Sequence, residues 1–194
     1  MEPLSVEFSK TILTELMIPS YANFGGKIHG GILLSLMDKA AYACASKHAG
    51  TYCVTVSVDQ VEFLQPVEVG ELVSLTATVN HVGNSSLVVG IRVVAENVKT
   101  HTVKHTNTCY FTMVAKGDDD KPMMVPPLKL KNIGEVKKFA EIIKRKQVKS
   151  EANRAIDKAK TEFIMDEDYH LLKGQRCSIK MPDSDEFNDL FPET

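Results

Sequence analysis

The sequence has few cysteines, and none of them lies in a Cys-x-x-Cys pair. The four are Cys44, Cys53, Cys109 and Cys177. Cysteines without such spacing do not form the common zinc or redox motifs, and a secreted disulfide framework usually shows a denser pattern. We therefore expect reduced, mostly buried thiols in a cytoplasmic protein.

An excess of basic residues and a long apolar run are also absent. Lys and Arg number 23 against 25 Asp and Glu, so the net charge is −2. Such a chain has no general surplus of cations to neutralise phosphates, which argues against a nucleic-acid-binding protein. No uncharged apolar run approaches the length of about 18 residues that predicts a membrane span. Residues 1–10 lack the basic and apolar regions of a signal peptide.

The most prominent feature of the sequence is a glycine-rich loop followed by an apolar helix. The loop covers residues 23–31, and the helix is expected to run to about His48, with Ala49 and Gly50 as its end. Apolar residues occur on nearly every side of this helix, which predicts a buried helix. Asp38 interrupts it, and a buried ionised carboxylate requires compensating groups.

Asp38 therefore has two interpretations. Because seven residues make about two turns, Gly31, Ser35, Asp38 and Tyr42 share one stripe of the helix. A carboxylate on that stripe, behind a glycine-rich helix start, is typical of a functional site. The alternative is a structural aspartate bonded to a neighbouring strand. We expect Ser35, loop amides or water to keep the group ionised.

Five segments have strand character: residues 11–19, 52–64, 72–82, 85–96 and 103–115. The alternation in 52–64 shifts by one residue, which predicts a bulge or bend near residues 59–60. The last four are joined by short turns, and short turns require antiparallel pairing. The order predicts an α+β fold with one long helix lying across a largely antiparallel sheet.

The composition changes after residue 128. Apolar residues at helical spacing and a run of lysines predict a basic amphipathic helix over 133–146, with a second helix over 150–163. The segment 166–194 is acidic. The basic face is either an ordinary solvated surface or a source of cations for a phosphate-bearing ligand or a neighbouring subunit.

The motif His29-Gly30-Gly31, with Asp38 seven residues later, resembles that of hot-dog-fold acyl-CoA thioesterases. Other segments agree in order and spacing, among them residues 54–59, 63–66, 82–87 and 110–115. The chain is most similar to the branch with the bacterial short-chain and brain-type acyl-CoA hydrolases. The resemblance implies a hot-dog domain at 1–128 and leaves 129–194 as a C-terminal extension.

The resemblance further implies a sheet of about five strands wrapped around the helix, with two subunits pairing edge to edge and sharing their active sites. A trimer of such dimers is the implied assembly. Asn23 and Asp38 would meet across the dimer interface. The positions that would line the channel for coenzyme A are Thr55, Val56, Ser57, Gly83, Asn84, Ser85, Ser86 and Leu87.

The implied chemistry is thioester hydrolysis without a cofactor or metal. The chain lacks a Gly-x-Ser-x-Gly elbow, which weakens a serine-nucleophile route. Asp38 would act either as general base or as nucleophile, and the sequence leaves both open. The amides of Gly30 and Gly31 would receive the thioester carbonyl at the helix N-terminus, and Asn23 would orient the water or the carbonyl.

Several alternatives accompany this interpretation. His29 is either a catalytic base or a structural residue of the turn, and Asn23 could be a simple turn residue. A hot-dog acyl-CoA hydratase or dehydratase would need a histidine paired with a carboxylate, which His29 and Asp38 do not obviously provide. A non-catalytic acyl-CoA sensor is the remaining alternative.

Overall fold

The computed structural model describes residues 1–161 and 168–178. The elements are β1 (Leu4–Ser5), α1 (Val6–Ser9), β2 (Thr11–Leu16), a 3₁₀ turn (Pro19–Tyr21), α2 (Gly30–Ala49), β3 (Cys53–Val58), β4 (Leu72–Val82), β5 (Ser86–Asn97), β6 (Thr102–Ala115), β7 (Leu128–Lys129), α3 (Ile133–Thr161) and a second 3₁₀ turn (Tyr169–Leu172). Met1–Gln147 forms one compact unit, and a second begins at Val148.

The main sheet has the strand order β2-β4-β5-β6-β3, and every neighbouring pair is antiparallel. Five strands span about 19 Å at their usual spacing of about 4.8 Å. A helix about 10 Å wide can contact all of them only if the sheet curls around it. Helix α2 does contact all five strands. The predicted α+β hot-dog architecture is therefore confirmed.

Alternate residues of the three central strands face α2 and form the core. Fully buried side chains with this period are Val73, Leu75, Ala77 and Val79 on β4, Val89, Ile91, Val93 and Ala95 on β5, and Cys109, Phe111, Met113 and Ala115 on β6. The period of two matches the pleat of a strand with one covered face. Burial raises the pKa of the Cys109 thiol to about 12, so this cysteine is a packing residue.

Strand β3 is shorter than the sequence predicts. It ends at Val58, and its register against β6 shifts between Thr55 and Ser57, so Val56 is an extra, bulged residue. The bend predicted near residues 59–60 therefore begins earlier. The chain after Val58 leaves the regular ladder but still donates backbone hydrogen bonds to β6, from Asp59 N to Tyr110 O at 2.9 Å.

Helix α2 is not buried all round, which corrects the sequence-based expectation. Leu33, Leu36, Met37 and other core residues cover one face, whereas Gly31, Leu34, Ser35, Asp38 and Tyr42 are exposed. The apolar content of a helix does not reveal whether its own chain covers every face. The predicted end is confirmed, because Gly50 adopts a left-handed φ of 71° and its N–H bonds to Ser46 O.

Helix α3 is one continuous helix rather than the two predicted. It begins with a reciprocal cap, in which Asn132 Oδ1 accepts from Glu135 N and Asn132 Nδ2 donates to Glu135 Oε1. Ile142 is buried, and Arg145 stacks over the Tyr110 ring at 4.6 Å. Its first half therefore belongs to the compact unit. Most of the predicted acidic segment 166–194 lies outside the described residues.

Candidate active site

Asn23 organises the loop before α2. Its Oδ1 accepts hydrogen bonds from Gly25 N at 2.9 Å and Lys27 N at 3.2 Å, and its own N–H donates to Lys27 O at 2.7 Å. Gly26 has a φ of 75°, a conformation that glycine adopts without strain. The turn role that the sequence offered for Asn23 is thus present. These bonds use the side-chain oxygen, and the exposed side chain still has its amide NH₂ for a ligand.

His29 caps the N-terminus of α2. Its Nδ1 accepts from Gly31 N at 3.0 Å, so His29 has a structural role in the turn rather than a pairing with Asp38. A Cβ at position 31 would lie 3.2 Å from that nitrogen, so a larger residue there would crowd the cap. Of the two amides predicted to receive the thioester carbonyl, that of Gly31 is already engaged. The Gly30 N–H has no acceptor among the described residues.

Asp38 lies on the exposed face of α2 and is held by β3. Thr55 Oγ1 donates to Asp38 Oδ1 at 2.6 Å, a length typical of a hydroxyl bonded to a carboxylate. The expectation that this chain buries Asp38 is wrong, and the partner is Thr55 rather than Ser35. The bond to a neighbouring strand, raised as the structural alternative, exists. It uses one oxygen of a carboxylate that remains exposed.

A pocket of about 380 Å³ opens beside this pair. Its lining residues are Asp38, Lys39, Tyr42, Tyr52, Cys53, Val54 and Thr55. The Tyr42 and Tyr52 rings lie 5.9 Å apart at 58° to each other. Mostly apolar walls with one carboxylate, one lysine and a few hydroxyls are typical of a small-molecule site. Sequence reasoning missed Tyr52, because its place opposite Tyr42 depends on how β3 meets α2.

The two predicted parts of the active site, the Asp38 carboxylate and the glycine amides, are separated along α2. Asp38 follows Gly30 by eight residues, which is about 12 Å along the helix axis. The carboxylate end of the site therefore lies two turns away from the amide end of the same chain.

The predicted coenzyme A positions lie near one end of the sheet. Ser86 pairs with Val114, and Val114 pairs with Val54, so the β4–β5 hairpin is two strand spacings, about 10 Å, from β3. Gly83 and Asn84 are exposed, as is Val56. Leu87 is fully buried in the core, which leaves only its backbone for a ligand.

No helix within residues 1–161 and 168–178 has both the length and the apolar character needed to span a membrane. In the same part of the chain, no three His, Cys, Asp or Glu side chains are grouped so that they could hold a metal ion.

Residues 25–101 match the model of the thioesterase superfamily. Protein VdlD of Helicobacter pylori is 42% identical over 142 residues, which is 73% of this chain and 81% of that protein. An apo-hexameric acyl-CoA thioesterase has a similar structure, with a TM-score of 0.76 and 33% identity over 79% of this chain and 98% of that one.

The acyl-CoA hydrolase of Staphylococcus aureus, solved with butyryl coenzyme A and coenzyme A, has a TM-score of 0.71 and 29% identity over 81% of this chain and 95% of that one. The same hydrolase has been solved as three variants in which an asparagine, an aspartate or a threonine is replaced by alanine.

Proposed function

This chain belongs to the thioesterase superfamily as a hot-dog-fold acyl-CoA thioester hydrolase, and from that premise we propose which groups carry out the reaction. Water attacks the thioester carbonyl of a fatty acyl-CoA, the carbon–sulfur bond breaks, and a free fatty acid and coenzyme A leave. Asp38 takes the proton of the water, or attacks the carbonyl itself. Asn23 of the partner subunit orients the reacting group through its amide NH₂.

The observation that carries the proposal is the Asp38 carboxylate, which lines the pocket and is held by Thr55. Thr55 Oγ1 bonds to Oδ1, which limits rotation of the carboxylate and leaves Oδ2 to act on a water or a substrate. A general base must lie within hydrogen-bond reach of the proton that it removes. A carboxylate in an exposed pocket is accessible to both water and thioester.

The order and spacing of three residues support the same assignment. The asparagine, aspartate and threonine replaced in the S. aureus variants are 15 and 17 positions apart along that chain. Asn23, Asp38 and Thr55 follow in the same order at the same intervals. Three polar residues at matched spacing, in a chain of similar fold, are the ones that we place around the thioester.

The separation along α2 favours a site shared by two subunits. A carboxylate in direct attack must lie about 3 Å from the carbonyl carbon, and an amide donor about 3 Å from the carbonyl oxygen. The offset of about 12 Å between Asp38 and Gly30 is too long for that arrangement within one chain. Asp38 would therefore work with Gly30 and Asn23 of the partner subunit, in a dimer formed along β3 and the exposed face of α2.

The sheet edge and the hairpin would bind the coenzyme A portion. Thr55, Val56 and Ser57 belong to the edge strand β3, and Gly83 to Ser86 form the hairpin about 10 Å away. An extended pantetheine arm can cover that distance.

We further propose that three such dimers form a hexamer and that the protein is cytoplasmic. The reaction would consume water and would need no cofactor.

The direct test replaces Asp38 by asparagine and measures thiol release from a series of acyl-CoAs of increasing chain length. Loss of a general base or nucleophile lowers kcat by at least about 100-fold. Asp119→Asn, which alters an exposed carboxylate paired with Lys121, is the matched control. An Asp38→Asn enzyme that hydrolyses acyl-CoA at the wild-type rate would refute the assignment. Label from H₂¹⁸O appearing in the Asp38 carboxyl would identify it as the nucleophile.

Shared sites are tested by mixing two inactive variants, Asn23→Ala and Asp38→Ala. Random exchange makes half of the dimers mixed, and each mixed dimer regains one intact site of two. We therefore expect about one quarter of the wild-type activity. If subunit exchange is demonstrated by mass spectrometry and no activity returns, the two residues do not meet across an interface.

A further inference from the structure

A buried carboxylate lies behind the loop that carries Asn23. Glu71 is only 4% exposed, and acidic residues are rarely buried without partners. One oxygen, Oε1, lies 2.8 Å from Lys104 Nζ, and the other, Oε2, accepts the backbone N–H of Glu68 at 2.8 Å. Both oxygens are used, so Glu71 joins a cation on β6 to the turn at residues 67–71.

That turn supports the Asn23 loop through several bonds. Ile28 N donates to Val67 O at 2.9 Å, and Lys27 forms a backbone bridge and a side-chain ion pair with Glu68. The backbone N–H of Lys27 in turn donates to Asn23 Oδ1. A continuous series of short contacts therefore leads from Glu71 to the side chain of Asn23.

We propose that Glu71 is a positioning residue, which sets the place of the Asn23 amide through the 67–71 turn and Lys27. The inference rests on the proposed role of Asn23 in hydrolysis. Glu71 is buried and both of its oxygens are bonded within the chain, so it acts on the reaction only through the loop. A small displacement of an orienting group lowers the rate of the chemical step more than it weakens substrate binding.

The test reduces the number of acceptor oxygens in the side chain at position 71. Glutamine has one, so Glu71→Gln can satisfy either Glu68 N–H or Lys104 Nζ, but not both. We expect kcat to fall by about tenfold or more while KM changes little. Hydrogen exchange of the backbone amides in residues 23–28 should rise, whereas exchange in the core of α2 should not. Replacing Lys104 by methionine in the same chain removes the competing donor and should restore both kcat and protection.

Two further variants keep the test decisive. Glu71→Asp retains the charge beside Lys104 but is one methylene shorter, so it provides a folded protein with a weakened bond to Glu68 if Glu71→Gln does not fold. Glu7→Gln, which alters an exposed ion pair with Lys10, is the control expected to match the wild type.

The outcomes separate this inference from the function on which it rests. If Asn23→Ala has wild-type kcat, the proposed role of Asn23 is wrong. If Asn23→Ala is impaired but the Glu71 variants keep wild-type kcat and loop protection, the positioning role is wrong. A Glu71→Gln enzyme that loses thermal stability without faster exchange in the loop, or that Lys104→Met does not restore, would show a purely structural residue.

Discussion

Replacing Thr55 by valine removes the hydroxyl that donates to Asp38 and changes little else. Valine is β-branched like threonine, and both residues are enriched in strands, so β3 should keep its geometry. The substitution removes the 2.6 Å bond from Oγ1 to Asp38 Oδ1 and the weaker 3.3 Å contact of the same oxygen with Met113 Sδ. The carboxylate would remain in place on α2 but could rotate freely about its last bond.

The size of the effect follows from the type of bond. Hydrogen bonds to charged groups contribute about 1.5–3 kcal/mol, and both residues are exposed, which favours the lower value. A loss of about 1.4 kcal/mol in the transition state slows a reaction about tenfold. We therefore expect kcat of Thr55→Val to fall by about 10- to 100-fold, with the larger value applying if a partner subunit excludes water from the site.

The assay is thiol release at saturating acyl-CoA, with circular dichroism as the check on folding. Thr55→Ser keeps the donor and should remain within about threefold of the wild type, since a retained hydroxyl can still bond to the carboxylate. A Thr55→Val enzyme with wild-type kcat, or a Thr55→Ser enzyme as slow as Thr55→Val, would refute the claim that this hydroxyl orients Asp38.

Three stability predictions concern the same fold. Burial holds the pKa of His48 below its usual 6.5, so its contribution to stability is complete above that pH and is lost as the pH falls towards the folded value. The free energy of unfolding measured with urea should therefore be lower at pH 5.5 than at pH 7.5, and this decrease should be larger in the wild type than in His48→Gln by up to about 1.4 kcal/mol. An equal decrease in the two proteins would contradict this effect of His48. Gly90→Ala should destabilise by about 1–3 kcal/mol in thermal melts, because its Cβ would lie 2.3 Å from Nδ2 of the buried Asn80. Ile142→Ala should cost about 2–5 kcal/mol in urea unfolding, since this side chain is 2% exposed, whereas Ile143→Ala on the exposed side should cost far less. Equal losses at these neighbours would show that α3 does not pack as described.

Regular strands and the ends of α2 could be predicted from local patterns. The alternation on β4, β5 and β6 depends on one face being covered, and Gly50 ends α2 because the left-handed conformation favours glycine. The edge strand β3 was harder to predict. Its bulge at Val56 exposes a valine and shifts the alternation of apolar and polar residues, so the sequence suggested a longer strand with a later bend. The single long α3 also escaped prediction, since residues 147–150 contain no apolar repeat that would join its two halves.

The sequence by itself determined the fold class and the candidate groups of the site. Hydrophobic period, turn residues and the loop–helix motif are local properties, and they single out Gly30 and Asp38, whereas Asn23 was added by the resemblance to the family. Only the tertiary structure decided how these residues are held. The Thr55 bond to Asp38 and the ion pair of the buried Glu71 with Lys104 each join residues that are distant in sequence. Such contacts depend on how the sheet curls around α2, which no single stretch of sequence encodes.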